Sequence, residues 1–131
     1  MRVVDTSALL EILLRTSLAL KVEQRLFSRP QDLHVPHLVD LEIVQVLRRA
    51  LAGGALSEVR ANEALRDFVS LRLMRHPHEP YLYRVWELRH GVSAYDAVYV
   101  SLAESLGAPL VTCDRRLASA PGHNARVELI S

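Results

Sequence analysis

The chain has 131 residues, of which 50% are hydrophobic, and this is enough apolar material for one domain with a sizeable core. No apolar run is long enough to span a membrane, and Asp5 comes before a signal-peptide core could form, so we expect one soluble, cytoplasmic domain over residues 1–131. The net charge of +1 argues against a protein that coats nucleic acid through charge alone, and the single cysteine excludes an internal disulfide.

Strand patterns and helix patterns alternate along the chain, as the spacing of apolar residues and the Gly, Pro and Ser residues between segments indicate. In chain order we predict a strand over Arg2 to Asp5, helices over Thr6 to Leu14 and Ser17 to Phe27, a strand over Leu33 to Val35, a helix over Leu38 to Ala52, a helix from Ser57, a strand over Leu71 to Met74, a turn over His76 to Pro80, helices over Tyr81 to Arg89 and Ser93 to Leu106, and strands over Pro109 to Cys113 and Arg126 to Ile130. Strands separated by helices form right-handed crossovers and a parallel sheet that is covered on both faces. The sequence therefore predicts an α/β fold.

Four acidic residues that lie far apart in the sequence stand where an α/β fold can bring them together. Asp5 and Asp114 lie at the carboxyl ends of predicted strands, where open α/β sheets place their sites. Glu42 and Asp96 lie on apolar helical segments. Carboxylates gathered within a few ångströms repel one another, and a hard divalent cation such as Mg²⁺ or Mn²⁺ supplies the compensating charge. We therefore predict that the four acids form a metal site.

Each acid also has an ordinary structural interpretation. Asp5 and Asp114 are in position to cap the helices that follow them. Asp96 follows Ser93 at the spacing of a capping box, and Glu42 is spaced like a member of a solvated stripe. No single acid requires a catalytic role, so the prediction depends on their joint order.

Four segments carry a resemblance to a known family. They are Val3 to Leu9, Leu38 to Leu47, Ser93 to Ala97 and Leu110 to Leu117. In this order they resemble the PIN-domain ribonucleases and, among those, the VapC-type toxins. The resemblance implies a three-layer α/β/α sandwich around a parallel sheet of four to five strands. It also implies endonucleolytic cleavage of RNA that depends on Mg²⁺ or Mn²⁺.

The resemblance assigns roles to particular side chains. It makes the four acids the ligands that bind metal directly or through water: Asp5, Glu42, Asp96 and Asp114. It places hydroxyl groups beside them that would orient a carboxylate or a metal-bound water, with Thr112 counted among the catalytic residues and Thr6 and Ser7 supporting them. Thr112 is also typical of an ordinary β-branched strand residue, and that interpretation stays open here.

The RNA substrate would need cationic contacts beside the acids. Arg115 and Arg116 follow Asp114 directly and are the predicted substrate-binding residues, although a solvated loop is an equal alternative for both. The chain has only seven Phe, Trp and Tyr residues, which favours a structured RNA recognised by its shape. Histidines are predicted to lie in loops outside catalysis: His34, His37, His76 and His78.

Other classes of protein fit the sequence less well. A phosphatase with an aspartate nucleophile would carry a second Asp where Ser7 stands, and a phosphoacceptor module would need a Lys near the last strand, whereas the only Lys is Lys21. A duplex-gripping flap nuclease would need a longer chain. The main alternative is a non-catalytic PIN-like scaffold that binds RNA or protein. As partners, the resemblance implies a VapB-type antitoxin and a second copy of the chain in a homodimer.

Overall fold

A single parallel sheet of five short strands organises the protein. The structure is a computed structural model that describes residues 1–131. The strands are β1 (Arg2–Val4), β2 (Leu33–Pro36), β3 (Met74–His76), β4 (Leu110–Thr112) and β5 (Val127–Leu129). Their order across the sheet is β3-β2-β1-β4-β5, and every neighbouring pair is parallel. The predicted parallel sheet is confirmed.

Helices cover the sheet on both faces. The helices are α1 (Thr6–Leu13), α2 (Ala19–Phe27), α3 (Leu38–Ala52), α4 (Glu58–Ser70), α5 (Leu82–Glu87), α6 (Ala94–Leu106) and α7 (Arg115–Ala118), with a one-turn 3₁₀ helix at Glu79–Tyr81 before α5. The first four connect β1 to β2 and β2 to β3, in one direction along the sheet, while α5 and α6 lead back across it to β4. Right-handed crossovers in opposite directions place these two groups on opposite faces. The predicted three-layer α/β/α sandwich is confirmed, and none of its helices is both long and apolar enough to cross a membrane.

The core lies on both faces of the central strands, against α6 on one side and against α1 to α4 on the other. Val3, Val4, Leu110 and Val111 on β1 and β4 are completely buried. Helix α6 is buried from Ala97 through Ala103 without interruption, so it has no solvated face along its middle. A polar side chain on this part of the helix must therefore find a partner inside the protein. Only the ends of α6 can present groups to solvent.

Serine caps and a glycine set the ends of the longer helices. Ser57 Oγ accepts a hydrogen bond from the Arg60 amide at the start of α4, and Ser93 Oγ accepts one from the Asp96 amide at the start of α6. Gly107 ends α6 with φ of 62°, a left-handed conformation that costs glycine little. These residues explain why both helices begin within one residue of the predicted positions.

The third strand was predicted in the wrong place. Residues Leu71 and Leu73 follow α4 and pack against the core from a connecting segment, and β3 begins only at Met74. Because β3 is an edge strand with exposed Met74 and Arg75, it lacks the apolar pattern that marks a buried strand.

The prediction that four histidines lie in loops was also wrong for two of them. His34 lies in β2 and His76 in β3, where His34 Nδ1 is 2.8 Å from His76 Nε2. His37 precedes α3 and His78 accepts a hydrogen bond from the Leu38 amide. The strand around His34 was itself predicted, so treating His34 as a loop residue was inconsistent with it, whereas the polar residues of β3 at the sheet edge give no strand signal in the sequence.

Candidate active site

The candidate site lies where the direction of the sheet connections reverses. Strands β1 and β4 are neighbours, but the chain leaves β1 toward β2 and leaves β4 toward β5 on the other side. The two connections diverge at the carboxyl ends of the strands and open a crevice between them, which is where open α/β sheets bind ligands. Asp5 directly follows β1, and Asp114 lies two residues beyond β4. The backbone amide of Asp5 donates to Val111 O at 3.1 Å, so a hydrogen bond joins the carboxyl ends of β1 and β4 there.

Asp5 is a buried carboxylate held by three hydrogen bonds. It caps α1, its Oδ1 accepting from the Ala8 amide at 3.0 Å and from Ser7 Oγ at 2.7 Å, and its Oδ2 accepts from Thr112 Oγ1. Its exposure is 5%. Burial raises the pKa of Asp5 to about 6 although these hydrogen bonds oppose the shift, and the negative charge of Asp114 adds to the rise. A cation at this point would stabilise the ionised form.

Two hydroxyl groups connect Asp5 to the end of β4. Ser7 Oγ accepts from the Cys113 amide and Thr112 Oγ1 accepts from the Asp114 amide, both at 2.9 Å. The two hydroxyl oxygens are 3.2 Å apart. Ser7 and Thr112 therefore fix the position of the backbone that carries Asp114 relative to the Asp5 carboxylate.

Glu42 enters from α3 and is held by a second pair of hydroxyls. Its Oε1 lies 2.8 Å from Thr6 Oγ1 and 2.6 Å from the Tyr99 hydroxyl. Glu42 is half-buried, so the interpretation of this residue as a member of a solvated stripe was wrong. Tyr99 was missed by sequence reasoning. Its only sequence signal is its position three residues after Asp96, on the next turn of the same helix.

Asp96 and Asp114 complete the group of acids, each near the start of a helix. Asp96 lies in the first turn of α6 and Asp114 caps α7, accepting from the Arg116 amide at 2.9 Å. The capping interpretation is therefore right for Asp5 and Asp114. Burial raises the pKa of Asp96, and the charges of Asp114 and Glu42 raise it further, while Arg116 opposes them. Asp114 and Glu42 are therefore close enough to Asp96 to act on its charge, and Asp114 acts on Asp5 in the same way.

The donor atoms fit a hard cation, but the arrangement does not form a closed ligand cage. No group of three or more His, Cys, Asp and Glu side chains has the spacing to hold a metal ion. The atoms that face one another are carboxylate and hydroxyl oxygens, which are the ligands that Mg²⁺ and Mn²⁺ prefer. The chemistry of the donor set thus suits such an ion, and the ligand roles of the four acids stay a prediction.

The two arginines after Asp114 lie at the rim of this group. Both are exposed, and the Arg116 side chain, 92% exposed, has its Nε 3.9 Å from Asp114 Oδ1. That distance in solvent makes a weak ion pair, so the guanidinium stays available for other anions. Asp40, close to Glu42 in the sequence, instead faces β3, where both of its carboxylate oxygens accept hydrogen bonds from Arg75.

The chain resembles known proteins over its whole length. Residues 2–122 match the family model described as PIN domain. Ribonuclease VapC12 of Mycobacterium tuberculosis is 38% identical over 131 residues, 100% of each protein, and Ribonuclease VapC1 of the same organism is 45% identical over 98 residues, 74% of each. Among solved structures, VapBC2 from Rickettsia felis bound to a DNA fragment from their promoter aligns at a TM-score of 0.72 and 16% identity, covering 99% of this chain and 98% of that one.

Proposed function

Because the chain belongs to the PIN-domain family and to its VapC-type members, we propose that it is an endoribonuclease that depends on Mg²⁺ or Mn²⁺ and acts as the toxin of a toxin–antitoxin pair. One observation carries the proposal. Asp5, a carboxylate with 5% exposure, lies at the reversal point of the sheet, where Asp114 raises its pKa and where Asp114 and Glu42 raise the pKa of Asp96. A protein that only needed helix caps has no reason to keep mutually repelling acids together.

The side chains divide the work of this reaction between them. Asp5, Glu42, Asp96 and Asp114 would hold the ion, and when bound it would lower the pKa of a water molecule and offset charge on the phosphate. Thr112 and Ser7 hold the Asp5 carboxylate by hydrogen bonds, and Thr6 does the same for Glu42. These hydrogen bonds hold the carboxylates in the orientation they need before the substrate binds.

The metal dependence is tested by removing and restoring the ion. We expect EDTA to stop cleavage of RNA by the purified protein and Mn²⁺ or Mg²⁺ to restore it, because the carboxylates alone cannot activate water or neutralise the phosphate. Mapping the cut ends in total RNA with and without each ion is the measurement. Undiminished cleavage in EDTA, at sites that a protein-free control does not show, would contradict the proposal.

Arg115 and Arg116 are expected to bind the RNA backbone and not to take part in the chemical step. Replacing both with Ala should raise KM, leave kcat nearly unchanged, and reduce the slope of log KM against log salt by about one to two, since each phosphate contact contributes about one. Arg29→Ala, an exposed arginine on the loop before β2, is the matched control. A loss in kcat with unchanged KM would show that the two arginines do not serve as substrate contacts.

The proposed partners are a VapB-type antitoxin and a second copy of the chain. An antitoxin segment that carries Arg or Lys would be attracted to the acids, because all four attract the same cation. Several exposed apolar side chains on α2 and α4 are candidates for the surface that a partner would cover: Leu20, Phe27, Val59, Leu65 and Val69.

A non-catalytic PIN-like scaffold that binds RNA or protein is the second candidate function. It is favoured by one observation, the lack of a group of three metal-holding side chains. A scaffold would bind RNA equally well in EDTA and would cut none in Mn²⁺. The cleavage experiment above therefore separates the two functions.

A further inference from the structure

Tyr99 is a buried polar group whose hydroxyl points at the site. It lies in the fully buried stretch of α6 and has 2% exposure, so its side chain has no freedom to turn toward solvent. A phenol keeps its proton at neutral pH, so the Tyr99 hydroxyl is a hydrogen-bond donor.

The donor roles follow from counting hydrogens. The Tyr99 hydroxyl is 2.6 Å from Glu42 Oε1, Thr6 Oγ1 is 2.8 Å from the same oxygen, and the two hydroxyls are 2.8 Å apart. Each hydroxyl carries one hydrogen. The Tyr99 contact is the shortest of the three and has the length of a charge-assisted O–H···O⁻ bond, so its hydrogen goes to Glu42. Thr6 then donates either to Glu42 or to Tyr99, but not to both.

We propose that Tyr99 is a positioning residue that fixes the Glu42 carboxylate through Oε1 and leaves Oε2 free to face the cation. Both hydroxyls contact Oε1, and Oε2 accepts no hydrogen bond from the protein. Asp96 lies one turn earlier on α6, so one rigid helix would set the positions of two acids, Asp96 directly and Glu42 through Tyr99. The inference rests on the proposed function, since it concerns the same site.

The test measures metal binding, with cleavage as a second readout. Tyr99→Phe removes only the hydroxyl. We expect the Kd for Mn²⁺, measured by titration calorimetry without RNA, to rise about 10-fold. This is the lower end of the loss in metal affinity that follows when a residue hydrogen-bonded to a metal ligand is removed. The cleavage rate in subsaturating Mn²⁺ should fall by a similar factor. Tyr81→Phe, a half-buried tyrosine beside α5, is the matched control and should change neither value.

A double-mutant cycle separates positioning from core filling. If Tyr99 acts through Glu42, Tyr99→Phe should weaken Mn²⁺ binding in the wild-type background and have no further effect in a Glu42→Ala background. Equal Mn²⁺ affinity of wild type and Tyr99→Phe would overturn the inference, even if the melting temperature fell. Fully additive losses in the cycle would overturn it as well. A wild-type protein that binds no Mn²⁺ at all would instead refute the proposed metal site.

Discussion

Asp5→Asn should reduce RNA cleavage by at least about 100-fold, because loss of a residue that only hydrogen-bonds to a metal ligand already costs about 10–100-fold, and Asp5 is proposed to be a ligand itself. The same substitution should stabilise the metal-free protein. Burial raises the Asp5 pKa from 3.8 to about 6, which corresponds to a cost of ~3 kcal/mol for holding the ionised group in the folded state at neutral pH. The neutral amide keeps an oxygen for the Ala8 amide and avoids most of that cost.

The pH dependence of this stabilisation has a definite sign. A raised pKa means that the folded protein binds the proton more tightly than the unfolded chain, so the unfolding free energy of the metal-free wild type falls as pH rises from about 4 to about 6. The difference in melting temperature between Asp5→Asn and wild type in EDTA should therefore be small near pH 4 and reach its maximum above pH 6. Added Mn²⁺ should stabilise the wild type much more than the variant, because it binds the native wild type more tightly.

A surface carboxylate provides the control for these measurements. Asp32 is exposed and directly precedes β2, at the amino ends of the strands and away from the carboxyl ends that carry the site, so Asp32→Asn should change neither cleavage nor stability. A lower melting temperature of Asp5→Asn in EDTA with normal cleavage would show that Asp5 is a helix cap and no more.

Thr112→Val should lower both stability and cleavage, although valine has nearly the same shape and suits a strand well. Thr112 is completely buried, and its hydroxyl donates to Asp5 Oδ2 and accepts from the Asp114 amide. Valine leaves both groups without a partner, so we expect a loss of about 1–3 kcal/mol in the unfolding free energy. Cleavage should fall about 10–100-fold because the carboxylate loses its orientation.

Thr112→Ser is the matched variant, since it keeps the hydroxyl and removes only a methyl group. Its cleavage rate should stay near that of the wild type, and denaturant unfolding should show a smaller loss than for Thr112→Val. If Thr112→Val instead cleaves RNA as fast as the wild type, Thr112 is an ordinary β-branched strand residue, as one interpretation of the sequence allowed.

The parts of the fold and the site that the sequence predicted correctly depend on local signals. Ser57 and Ser93 mark helix starts because their side chains bond to amides three residues away. Asp5 and Asp114 were placed together because each follows an apolar strand, and parallel strands bring their carboxyl ends to one edge. These signals come from residues only a few positions apart, so a single sequence is enough to recognise them.

The parts that were missed depend on contacts between distant residues. Tyr99 and Glu42 are separated by 57 positions, and nothing near either residue shows that they meet. The strand β3 forms because β2 offers it an edge, and its own residues have no strand pattern. The pairing of His34 with His76 follows from that same sheet contact. Tertiary structure determines these features, and the local sequence does not.

The uninterrupted burial of α6 limits how this protein can vary. A helix with one solvated face can exchange residues there freely, but from Ala97 to Ala103 every side chain of α6 is packed. A change of volume on this segment would shift its neighbours, and Asp96 and Tyr99 move with the helix. Tolerance to substitution and the geometry of the proposed site are therefore linked in one segment. If the proposed function holds, new substrate preferences would have to arise in the exposed segments around it, where Arg115 and Arg116 lie.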